Sequence, residues 1–123
     1  MPEKPLPTVF IVDDHSVIVM TVVAILNESG FKATGFNGAA DALRAAETGC
    51  PDLLITDVSM PGMNGIELAI RFRALYPTCK VVLFSGHAAT GDLLVTAKRQ
   101  GHDFTILAKP IHPKDLLAAI TKL

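Results

Sequence analysis

The chain has 123 residues, half of them hydrophobic, and a formal net charge of −1. That length holds one domain with a real core, not two, and the near-neutral charge gives no electrostatic reason to expect a nucleic-acid surface. No apolar run approaches the roughly 20 residues of a membrane span, and Met1-Pro2-Glu3-Lys4-Pro5-Leu6-Pro7 lacks the apolar stretch of a signal peptide, so a cytoplasmic protein with no membrane partner is expected.

Residues 1–7, with three prolines, read as a flexible tail, and residues 8–123 as one domain. A strand is predicted over 8–12, closed by Asp13 and Asp14. A helix follows over about 16–29. Its inward stripe is Val22, Ile25 and Leu26, and Val19, Met20 and Val23 fall off that stripe as a contact patch. Gly30 suits the left-handed position after the helix. The strand over 31–36 is polar and is placed at a sheet edge. A helix over 38–48 leads to a strand over 52–56, closed by Asp57. The next helix, about 64–75, is stopped by Pro77. A strand over 80–84 is closed by Ser85. A helix over 90–100 ends at Gly101, and a strand over 104–108 is closed by Lys109 and Pro110. Pro113 suits the first turn of the last helix, 113–122, and no output domain is expected after it. Strands that alternate with helices argue a parallel sheet covered on both faces.

In such a sheet the carboxyl ends of the strands share one edge, and ligands bind there. Asp13, Asp14, Asp57, Ser85 and Lys109 each close a strand, so four distant pieces of sequence are expected to converge. Asp57 is either a nucleophile that forms an acyl phosphate or a strand-end residue capping a turn. Asp13 and Asp14 would repel each other in a partly buried edge, and Mg²⁺, which takes oxygen ligands, removes that cost. The alternative, an acidic helix N-terminus, explains one acid more comfortably than two. Lys109 would pair as a point charge with a phosphoryl oxygen; otherwise it is a solvated strand-end lysine. Cys50 and Cys79 lie outside any ligand spacing and read as small thiols of a reducing compartment.

The run Asp57-Val58-Ser59-Met60-Pro61-Gly62-Met63-Asn64-Gly65 resembles the phosphoacceptor loop of the response-regulator receiver domains of two-component signalling, the CheY-like family. The resemblance covers Thr8 to Leu123. It implies a flavodoxin-like, doubly wound α/β fold with five helices and a five-stranded parallel sheet in the order 2-1-3-4-5. It implies that Asp57 accepts a phosphoryl group from a sensor histidine kinase or a histidine phosphotransferase. It also implies that Asp14 and Asp57 ligate Mg²⁺ directly, that Asp13 acts through water, and that the Ser59 backbone carbonyl completes the protein's share. Lys109-Pro110 is similar to the family's Lys-Pro, whose bond is usually cis, and Ser85 stands at its switch position. The first helix is implied to meet the kinase or phosphotransferase. The fourth helix, fifth strand and fifth helix are implied to meet an output protein. A second copy of the chain is the other occupant weighed for the first-helix patch.

Two features are particular to this chain. The family commonly has an aromatic residue three before the lysine, where Ile106 stands here, with Phe104 nearest. Either a one-residue bulge near 103–105 realigns the register, or Ile106 reports the switch by packing alone, or it does not report it. Ser59 leaves room for attacking water, and His87 hydrogen-bonds to the phosphoryl group, orients that water, or is a solvated loop residue. No chemistry is assigned to His15, His102 or His112. Two competing classes fit less well. A haloacid-dehalogenase-type enzyme needs a second acid where Ser59 stands. A purely structural module on a flavodoxin-like fold leaves the acids and Lys109 without a reason.

Overall fold

The computed structural model describes residues 6–86, 90–102, 104–109 and 112–121, with the side chains of 90–94 outside that description. Strands and helices alternate: β1 (Thr8–Val12), α1 (Ser16–Glu28), β2 (Lys32–Phe36), α2 (Ala39–Ala46), β3 (Leu53–Asp57), α3 (Gly65–Leu75), β4 (Lys80–Ser85), α4 (Thr90–Arg99), β5 (Thr105–Ala108) and α5 (Pro113–Thr121). All strand pairs are parallel, and the order is β2-β1-β3-β4-β5. The central strands are short β-branched and aliphatic runs buried on both faces. The polar β2 lies at one edge, as expected, and β5 at the other.

Side-chain alternation divides the core into two layers. Phe10, Val12, Leu54 and Leu83 face α2 and α3, where Leu68 and Phe72 meet them. Val9, Ile11, Ile55, Val82 and Phe84 face α1 and α5, where Val22, Leu26, Leu116 and Ile120 close the layer. Gly30 and Gly101 adopt φ of 93° and 89°, the left-handed conformation expected after α1 and α4. Among the described residues, no helix is long and apolar enough to cross a membrane. Cys50 is exposed, whereas Cys79 is buried, and burial pushes its thiol up to about 12.

The phase of α1 differs from the sequence expectation. Val19 is buried together with Val22 and Leu26, and Ile25 and Val23 are partly buried against the same layer. The reason lies in β2. A Cβ built on Gly35 would sit 2.2 Å from Val19 Cγ1, so the glycine leaves the hollow that Val19 fills. The outward large apolar residues of this helix are therefore Val17, 76% exposed, and Met20, 70% exposed.

Candidate functional site

The carboxyl ends of β1, β3, β4 and β5 bring Asp13, Asp57, Ser85 and Lys109 to one edge. Asp57 is the last residue of β3, opposite Phe84, and Ser85 is the last of β4, opposite Ala108. Each strand thus runs one residue further than its apolar run, because the sheet pairing continues into the polar end. Asp13 is fixed by its backbone N–H, which donates to the Phe36 carbonyl at 3.1 Å. Lys109 is fixed by its N–H, which donates to the Ser85 carbonyl at 3.0 Å.

The acidic motif after β3 is held by α3. Gly65 donates its N–H to the Val58 carbonyl at 2.9 Å. A Cβ at this position would lie 1.9 Å from the Asp57 backbone oxygen. The helix can start this close to the end of β3 only with glycine there, which accounts for the glycine eight residues after Asp57. Asn64 caps the same helix by accepting the Glu67 N–H at 2.9 Å.

Among the described residues, three acids and one lysine meet at this edge. Lys109 Nζ lies 2.9 Å from Asp13 Oδ2 and 3.2 Å from Asp57 Oδ1. Asp13 and Asp57 are buried, and Asp14 is exposed at the rim. Burial raises the Asp13 pKa, but the Lys109 ammonium and the His15 backbone N–H outweigh it, and the net shift is downward. For Asp57, burial and the neighbouring Asp13 charge outweigh Lys109, and the net shift is upward. Burial alone would lower Lys109, yet its bond to Asp13 and the charges of both acids hold it above the ordinary range. Three carboxylates against one ammonium leave excess negative charge, which suits a divalent cation.

The sequence assigns His15 no chemistry. Its Nδ1 lies 3.1 Å from Asp13 Oδ1 and 3.2 Å from Asp14 Oδ1. Among the described residues, Asp13, Asp14, His15 and Asp57 offer ligand atoms all within 4.8 Å of one another. The signal available in the sequence was adjacency: a histidine directly after two acids, at the turn into a helix. Ser59 is exposed on the loop after β3. His87 and Pro110, and with them the expected cis bond and water-orienting role, lie outside the described residues, as does Asp103 within the expected bulge.

From Thr105 to Ala108, β5 pairs residue for residue with β4. Phe104 is buried in the α2–α3 layer, with the Arg73 guanidinium 4.1 Å from its ring centroid and His102 stacked on it. It precedes β5, at the strand end away from the acids. Four residues of strand, at about 3.3 Å each, separate it from the level of Ala108. Ile106 is exposed beside Leu83. The aromatic ring of this region is therefore a core residue and does not flank the site.

The family model described as the response regulator receiver domain matches residues 9–121. Among curated proteins, the chain is 33% identical over 114 residues to the DNA-binding transcriptional regulator NtrC of Proteus hauseri, across 93% of this chain and 24% of that protein. It is 31% identical over 115 residues to the response regulator receiver protein CpdR of Brucella abortus, across 94% of each. The chain thus spans about a quarter of the NtrC relatives and nearly all of CpdR. Among solved structures, a CheY-like receiver domain protein from Methanospirillum hungatei superposes with a TM-score of 0.85 at 29% identity, over 95% of this chain and 92% of that one.

Proposed function

Because this chain belongs to the response regulator receiver domain family, we propose that Asp57 is the residue on which it receives a phosphoryl group from a phospho-histidine kinase or phosphotransferase. Receiver domains are phosphorylatable switches of two-component signalling. What supports Asp57 is one observation: the buried carboxylate ends β3 beside a second buried acid, with Lys109 Nζ 2.9 Å from one and 3.2 Å from the other.

An Asp57 oxygen attacks phosphorus in line with the leaving nitrogen. The new O–P bond forms as the P–N bond breaks, and the imidazole departs with the electron pair. Such a transfer is almost wholly positioning and charge stabilisation. Lys109 swings from Asp13 to a phosphoryl oxygen, keeping its ammonium within the same cluster. Asp13, Asp14, Asp57 and the Ser59 carbonyl would hold Mg²⁺ at this edge. The cation, when bound, supplies the positive charge that one lysine cannot. The Ser85 hydroxyl donates to a phosphoryl oxygen. That draws the end of β4 inward, and the α4–β5–α5 face passes the change to an output protein through exposed Val95 and Ile106. Exposed, small Ser59 leaves water a path for self-dephosphorylation.

Incubation with acetyl phosphate and Mg²⁺, read by intact mass, tests the assignment. The wild type should gain one phosphoryl group, and Asp57→Ala should gain none. Mg²⁺-dependent labelling of the alanine variant at the wild-type level would move the acceptor elsewhere.

A further inference from the structure

We propose that His15 is an additional ligand of the divalent-cation site and shifts its preference from Mg²⁺ toward first-row transition ions such as Co²⁺. The inference rests on the carboxylate site proposed above and adds a nitrogen donor to it. His15 Nδ1 lies 3.1 Å from Asp13 Oδ1 and 3.2 Å from Asp14 Oδ1. A ring nitrogen carries at most one proton, so a single linear hydrogen bond accounts for one of these contacts and not the other. An ion placed among these atoms would take the ring nitrogen and both carboxylate oxygens as ligands. An octahedral ion with ligands at about 2.1 Å holds adjacent donor atoms about 3.0 Å apart and opposite ones about 4.2 Å apart. The four candidate ligand atoms lie within 4.8 Å of one another, a little beyond that span, so the ring must turn slightly to complete the shell.

The ring is free to make the adjustment. Its side chain is 65% exposed, and the residue is held through its backbone N–H, which donates to Asp13 Oδ1 at 3.0 Å. Turning the ring toward an ion therefore disturbs no packed layer. The donor chemistry sets the direction of the preference. Mg²⁺ takes oxygen ligands and keeps its waters, so a nitrogen adds little to its binding. First-row transition ions accept imidazole readily, and their affinity for mixed nitrogen and oxygen sites rises along the series from Mn²⁺ to Cu²⁺.

Calorimetric titration of wild type and His15→Ala with Mg²⁺ and with Co²⁺ tests this, together with proton NMR of the Co²⁺-loaded proteins. The variant should lose about tenfold or more in Co²⁺ affinity, as loss of groups around a metal commonly does, and keep its Mg²⁺ affinity within about twofold. The wild type should show a ring N–H resonance displaced far from the diamagnetic range, absent from the variant. The assignment is overturned if both affinities change by the same factor, or if the displaced resonance persists without His15. If both proteins bind both ions equally, the carboxylate site stands and His15 has no part in it. If the wild type binds neither ion, the carboxylate site falls and His15 with it.

Discussion

Asp13 and Asp57 lie side by side and are pushed in opposite directions. Asp13 is held below its ordinary value of 3.8: burial opposes this, but Lys109 and the His15 N–H prevail. Its contribution to stability is present above that value and is lost as the pH falls through the folded-state value. Asp57 is held above 3.8 by burial and by the Asp13 charge. The native state then keeps a proton that the unfolded chain has released. The associated stability is complete below 3.8 and is lost as the pH rises through the folded-state value. At neutral pH the ionised Asp57 therefore weakens the ion-free fold. Asp57→Asn should raise the urea midpoint at pH 7 in a chelating buffer, and the gain should shrink as the pH approaches 3.8. Mg²⁺ should stabilise the wild type by binding the native state, and should stabilise the variant less. An Asn variant less stable than wild type at pH 7 would mean that its neighbours favour the Asp57 charge.

Between elements, the decisive contact is the start of α3 against the end of β3. A methyl group at Gly65 would overlap the Asp57 backbone oxygen, which cannot move aside as a flexible side chain can. Gly65→Ala should destabilise by about 1–3 kcal/mol, the usual range for overpacking, and should slow labelling by acetyl phosphate because the strain falls on the acceptor's own backbone. Wild-type denaturation and labelling in this variant would show that α3 can shift without consequence. The glycine was legible in the sequence as part of a spaced motif, and the strand order followed from the alternation together with the family resemblance. Asp13, Asp57, Ser85 and Lys109 were legible for a related reason: parallel strands end at one edge, so position in sequence fixes position in space. The phase of α1 was not legible. Val19 is drawn inward by the hollow over Gly35, a residue of another element. For His15 the sequence offers adjacency to two acids but not the direction of its ring. The bulge expected near 103–105 falls partly on Asp103, outside the described residues, and from Thr105 to Ala108 the pairing with β4 is one to one.

Across the whole molecule, a net charge of −1 gives little steering, so under the proposed function a phospho-histidine donor would be recognised by shape and apolar contact. A groove of about 400 Å³ runs along α1, lined by Val17, Ile18, Thr21, Val22 and Ile25, and reaches Gly86 and Lys109 at the site. Val17 and Met20 stand exposed on the same helix. A donor helix lying there would bring its phospho-histidine toward Asp57 while covering Val17. Exposed substitutions usually change stability by no more than about 0.5 kcal/mol, whereas apolar area lost from a contact weakens it by about 25 cal/mol per Å². Val17→Gln/Met20→Gln should therefore keep the wild-type melting temperature and the wild-type rate of labelling by acetyl phosphate. It should be slow only with a phospho-histidine protein as donor. Unfolding of the variant would place these side chains in the core, against their exposure. Equal rates with both donors would remove α1 as the donor face, and a concentration-dependent change in mass by sedimentation would then identify a second copy of the chain as the occupant.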